Sequence, residues 1–172
     1  MPLYALGEKS PSIHPDAYVH PDAVVIGDVT VGPESSIWPS AVLRGDSNRI
    51  VIGARTSIQD GAIIHCTPEQ ETRIGDGCVI GHTAHLEGCI MEHGSLVGSG
   101  AVVLPRAVIG AGALVAAGAV VPNDVVVPPL ALARGVPAKI VEGAAPQAVI
   151  EASVVQYVHN ARTYPAALRR ID

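Results

Sequence analysis

Imidazoles and carboxylates gather in one stretch of this 172-residue chain. His65 follows Ile64, Glu87 follows Leu86, His85 precedes Leu86, and His82 stands in Gly81-His82. Two histidines and a glutamate that converge can hold a divalent cation and leave a fourth position open for water. Upstream lie Arg44-Gly45-Asp46 and Gln59-Asp60, which add a guanidinium, an amide and two carboxylates. These are groups that bind anions and move protons. Which of them meet depends on the elements that carry them.

A six-residue cycle supplies those elements. Ile13, Val19, Val25, Val31, Ile37 and Leu43 fall at six-residue steps; the count resumes at Ile52, Ile58 and Ile64, again at Ile74, Ile80 and Leu86, and after one short step at Met91 through Val121. Four residues after each aliphatic stands a small side chain, as at Ala23, Ala41, Ala62, Cys78 and Ala101, and glycine often follows the aliphatic directly. A bulky inward residue, a tight turn and a small corner residue describe one side of a triangular prism, three hexapeptides to a coil. The cycle therefore predicts an all-β fold, a parallel β-helix, in which strands stack at roughly 4.8 Å and each coil is stabilised by its neighbours.

Two interruptions break the count, at Leu43–Arg49 and Cys66–Arg73, and both are expected to be loops that carry a site. The steps from Ile64 to Leu86 are ten, six and six; with a four-residue loop removed, one coil remains. His65 and Glu87 then stack on one outer face, about 5 Å apart at the backbone. His85 shares that face, because alternate residues of a strand point the same way. His82 lies near the preceding corner and points away, so it reaches such a site only from a neighbouring subunit. After Val121 the pattern dissolves, and the prolines and glycine of Pro128-Pro129 and Gly135-Val136-Pro137 are expected to close the last coil.

From Pro146 the period becomes 3.6, with Ile150, Val154, Val158, Ala161, Tyr164, Leu168 and Ile171 on one stripe and Pro165 as a possible kink. The division is thus residues 1–145, the prism, and 146–172, a helix lying on its own prism or on a neighbouring subunit. The residues are 48% hydrophobic, with no Phe and one Trp, which suits a thin prism interior. A net charge of -5 without a Lys/Arg run argues against nucleic acid, and no apolar stretch has the flanks of a signal peptide or membrane span, so the expected location is cytoplasmic. Cys66, Cys78 and Cys89 lack CxxC spacing, and Cys78 sits in the small inward column. His14, His20, His93 and His159 have no partner at metal spacing and read as exposed polar residues.

Taken in order, Arg44-Gly45-Asp46, Ile58-Gln59-Asp60-Gly61, His65, Gly81-His82-x-Ala84-x-Leu86-x-Gly88-Cys89 and Gly135-x-Pro137-Ala138-Lys139 resemble the γ-class carbonic anhydrases and their relatives. That resemblance implies a left-handed β-helix with a C-terminal α-helix. It further implies a homotrimer with one zinc, iron or cobalt ion at each subunit interface, and hydration of CO2 to bicarbonate by a metal-bound hydroxide. By motif, His65 is a ligand within its own subunit and His82 the ligand given to the neighbour. Arg44 and Asp46 tie subunits together and approach the bound anion, and Gln59 and Asp60 hydrogen-bond the metal-bound water. At the third ligand position the family has histidine where this chain has Glu87. Three readings stay open: His65, His82 and Glu87 bind the metal, with water less acidic than under three imidazoles; His85 replaces the missing imidazole and Glu87 orients a ligand; or no metal binds.

Other assignments also have two sides. Gln59 and Asp60 serve the site or satisfy a turn. Glu69 and Glu71, in the loop beside His65, pass protons to solvent or are simply solvated. Tyr157 and Asn160 on the helix are candidates for the site rim. Hexapeptide β-helices also include acyltransferases with a histidine base and coenzyme A, and a non-catalytic scaffold or small-anion binder is the third class.

Overall fold

The computed structural model describes residues 2–172: a parallel β-solenoid of about seven turns, a left-handed β-helix, with one helix at its C-terminal end. The six-residue cycle becomes three inward columns. Val19, Ile37, Ile58, Ile80, Val97, Val115 and Ala133 stack in register on the first face. The second face carries Val25, Leu43, Ile64, Leu86, Val103 and Val121. Ile13, Val31, Ile52, Ile74, Met91, Ile109 and Val127 line the third. All but Ile13 are buried, and the corners between them are filled by small residues such as Ala41, Ala62, Cys78 and Ala84. Like side chains meet because parallel pairing stacks equivalent positions of successive coils, so a column tolerates only residues of similar reach.

Three expectations are corrected. The first interruption is not a loop: Val42–Ile52 is one continuous strand that rounds the corner between the second and third faces. It pairs along Val24–Val31, with Gly27 opposite Gly45 and Val29 opposite Ile50, so two steps on one strand face five on the other and the surplus bulges outward within the strand. The neighbouring coil offers a ladder that holds these residues extended, and that ladder is invisible in the sequence. The six-residue period also does not dissolve after Val121, since Val127 and Ala133 continue two of the columns. The prism ends where Leu132–Arg134 pairs antiparallel with Lys139–Val141, a hairpin that covers the open edge of the first face. Finally, the helix is Gln147–Ala167, with Pro165 inside it; Leu168 is extended, and Leu168 and Ile171 lie beyond the helix, 46% and 85% exposed. The second interruption is a loop, between strands Ile63–His65 and Thr72–Ile74.

The helix packs along the outside of the first face, against strands Tyr18–Val19, Ser36–Ile37, Ser57–Ile58 and Val79–Ile80. Its anchor is aromatic. Trp38 stands between Tyr18, Tyr157 and Tyr164 at ring-centroid distances of 5.4, 5.5 and 4.9 Å, over buried Ala161. The indole N–H donates to Ser36 Oγ at 2.9 Å, so the polar edge of the ring is satisfied while its faces are packed. Trp38 is the only tryptophan, and its emission reports helix docking. Ala161→Asp places a carboxylate under this lid; we expect a red-shifted Trp38 emission with the β-sheet circular dichroism retained. An unshifted emission would show that the helix is held elsewhere.

Candidate metal centre

Leu43, Ile64 and Leu86 point inward, so the residues that follow them, Arg44, His65 and Glu87, point outward in one register column. The side chains meet as the spacing predicts. His65 Nδ1 lies 2.7 Å from Glu87 Oε1 and Nε2 lies 3.0 Å from Asp46 Oδ1. A neutral imidazole donates to one of these carboxylates; a ring protonated on both nitrogens donates to both. Asp46 accepts further from the Arg44 guanidinium and, at 2.7 Å, from the Ser47 N–H. Burial alone would raise its carboxyl, but hydrogen bonds from His65, Ser47 and Arg44 outweigh that and hold it far below the usual carboxylate range. Gly45 is required between Arg44 and Asp46: a Cβ there would lie 2.3 Å from the Asp28 carbonyl oxygen of the coil below. His85 shares the face, and its Nε2 is 3.8 Å from Glu87 Oε2, beyond a hydrogen bond.

A second imidazole–carboxylate pair occupies the other edge of the same face. Thr83 N–H bonds to Asp60 O, so the corner holding His82 lies directly above Asp60, and His82 Nδ1 is 2.9 Å from Asp60 Oδ2. The phenol of Tyr157 reaches within 3.5 Å of His82 Nε2. Both His82 and Asp60 are about half exposed. His65 pairs with the last residue of His85–Glu87, whereas His82 stands in the turn ahead of that strand, so one chain does not bring His82 to His65. Gln59 is buried at the corner just before Asp60, its N–H bonded to Ile80 O.

Several partners were not legible beforehand. Asp46 bonds His65 within one chain, a contact that follows from Arg44 standing opposite His65 once the strand is continuous. Glu71 accepts from Arg73 at 3.0 Å and also binds Arg49; burial would raise its carboxyl, and the two guanidinium groups hold it low instead. It is clamped rather than free to swing. Glu69 is exposed. His20, expected to be exposed, is buried, and its Nδ1 accepts the Asp22 N–H at 3.1 Å; His14 and His93 accept the N–H groups of Asp16 and Asp76 in the same way. Corner amides left without a ladder partner explain all three.

The three cysteines are free and buried. Burial pushes the Cys89 thiol up to about 12 and the Cys78 thiol up as well, so both stay protonated. Asp46, His65 and Cys66 place one donor atom each within 4.8 Å of one another. Cys66 Sγ, however, sits in the core and accepts the Asn48 N–H at 3.2 Å, so it faces the interior rather than the surface where Glu87 lies. The outer donors, imidazole nitrogen and carboxylate oxygen, are the types a catalytic zinc takes.

Comparison with known proteins shows the family. The pattern of the bacterial transferase hexapeptide family (six repeats) matches residues 10–45. A protein of Methanocaldococcus jannaschii named "Probable carbonic anhydrase" is 49% identical over 140 residues, 80% of this chain and 88% of that protein. A carbonic anhydrase of Geobacillus kaustophilus is 39% identical over 166 residues, 95% of this chain and 91% of that protein. The chain belongs to the γ-carbonic-anhydrase-like hexapeptide-repeat family. A solved hexapeptide transferase family protein from Anaplasma phagocytophilum superposes with a TM-score of 0.90 at 33% identity, covering 95% of this chain and 98% of that one. Membership of this γ-like family implies a metal cofactor and a small-molecule substrate. Among the described residues, no helix is long and apolar enough to cross a membrane.

Proposed function

We propose that the chain is a γ-carbonic-anhydrase-type metalloprotein that interconverts CO2 and bicarbonate. It works as a homotrimer, with one zinc, iron or cobalt ion at each subunit interface. The observation that carries this reading is the division of donors between the two edges of one face: His65 and Glu87, 2.7 Å apart, on one edge, and His82 with Asp60 on the other. A threefold axis that brings three such faces together sets the His65 edge of one protomer against the His82 edge of the next. The outward column of that face, Val24, Val42, Ile63, His85, Val102 and Val120, is apolar but for His85, which suits burial in such an assembly.

In this arrangement His65, Glu87 and the neighbouring protomer's histidine hold the cation. Asp46 accepts from one nitrogen of His65 and fixes which nitrogen is left for the metal. Asp60 does the same for His82 through Nδ1, leaving Nε2 as the donor. Arg44, paired with Asp46, places a guanidinium at the rim where an anion such as bicarbonate leaves. The bound cation supplies Lewis acidity that lets water ionise near neutral pH. His85 is the reserve ligand: with Nε2 3.8 Å from Glu87 it takes the third place if Glu87 keeps its bond to His65.

A second reading is favoured by one fact. Both nitrogens of His65 already have carboxylate partners, so the pocket is satisfied without a metal, as a scaffold or anion-binding protein would require. An acyltransferase is the weaker alternative, suggested by the transferase family pattern over residues 10–45. Metal content per subunit and CO2 hydration, measured on the same protein purified without chelator, separate these. About one metal per subunit with hydration activity is the expected result. Metal-free, inactive protein would leave the scaffold.

A further inference from the structure

Thr72 begins the strand that returns from the 66–71 loop, and it occupies a corner column that is otherwise apolar. Val29 and Ile50 lie below it in register, Cys89 follows above, and all four side chains are fully buried. A hydroxyl in such a column is costly unless both its functions are used. Here they are. Thr72 Oγ1 donates to the His65 carbonyl and accepts the Gly88 N–H at 2.8 Å.

The need arises from unequal coil lengths. After His65 the chain takes the whole 66–71 loop to round the corner, whereas after Glu87 it crosses with Gly88 alone. Gly88 does so at φ +53°, and a Cβ there would press on Thr67 and Gln70 at 3.2 Å. The regular ladder stretches at this point: Gly88 N–H is 3.4 Å from His65 O, too long to satisfy both groups well. The threonine hydroxyl bridges the gap. It thereby ties the backbone of His65 to the residue that follows Glu87.

We infer that Thr72 is the positioning residue of the His65–Glu87 pair, its buried hydroxyl setting the separation of the two side chains by pinning the backbones that carry them. Its effect on metal binding rests on the proposed metal site; its effect on the His65–Glu87 contact does not. Thr56 provides a control. It is a second buried threonine that bridges coils, donating to Gly75 O at 2.7 Å and accepting the Cys78 N–H at 3.0 Å, at a corner away from His65.

The test compares Thr72→Val, Thr72→Ser and Thr56→Val with the wild-type full chain. The first readout is the ring N–H resonance of His65 in metal-free protein, assigned by its absence in His65→Gln. The second is the zinc dissociation constant by chelator competition. Thr72→Val should lose or broaden the ring signal and weaken zinc binding about tenfold, as loss of an outer partner of a ligand does, while Thr72→Ser stays within about twofold. Thr56→Val should lower thermal stability and leave both readouts in place. An unchanged ring signal in Thr72→Val, or the same loss in Thr56→Val, overturns the inference. If wild-type protein binds no zinc, the metal reading fails, and the ring signal still decides the role of Thr72.

Discussion

Glu87→His raises CO2 hydration at neutral pH by about tenfold and moves the pH profile toward acid. The reason is charge. A carboxylate ligand cancels one unit of the cation's charge, whereas imidazole is neutral, so the substitution gives a fully cationic centre at the position where the resemblance to the γ class implies histidine. Each unit by which the acidity of the bound water rises multiplies its ionised fraction by about ten below its pKa. Imidazole at 87 also removes the partner of His65 Nδ1 and leaves Asp46 as the sole carboxylate on that ring, which frees Nδ1 from competition. Stopped-flow hydration between acid and alkaline pH, with metal content measured on each sample, checks this. Equal metal in both proteins with an unmoved profile would mean that Glu87 is not a ligand, and would favour His85 in that place.

The second expected result concerns the sharing of a site between protomers. His65→Ala and His82→Ala should each abolish metal binding and hydration when assembled alone, because every interface then lacks one donor. Refolded together in equal amounts, they should recover about a quarter of wild-type activity: in random threefold rings three of four trimers are mixed, and each mixed ring has one interface in three with both histidines intact. Complementation of this kind has no counterpart in a site built within one chain. Full inactivity of the mixture, with mixed trimers demonstrated by mass spectrometry of differently tagged subunits, would refute the shared site.

The structure adds a reason to expect both pairs to behave alike. Asp60 to His82 and His65 to Glu87 span the same 22 residues, one coil plus the four-residue surplus of the 66–71 loop. A deletion in that loop would shift neither pair's register, because the strands on either side are held by their own columns.

What the sequence determined by itself was whatever depends on period. Ile13 through Val121 named the inward columns, and the column in turn put His65 opposite Glu87 and His85 on their face, because in a parallel ladder a count of residues is a statement of position. The same count kept His82 away from His65 within one chain. Tertiary structure alone decided what happens where the count fails. Leu43–Arg49 reads as an insertion, yet the neighbouring coil keeps it extended as strand, and only that path carries Asp46 to His65. Thr72 looks like an ordinary polar residue at the end of a loop; its place under two backbone groups exists only because one coil rounds the corner in many residues and the next in one. The aromatic anchor of the helix was hidden for a similar reason, since Tyr18 and Trp38 face outward on the prism and nothing in a six-residue period says what will cover them. Repetition encodes the regular backbone locally, whereas side-chain partners across an irregular corner depend on the lengths of two coils at once.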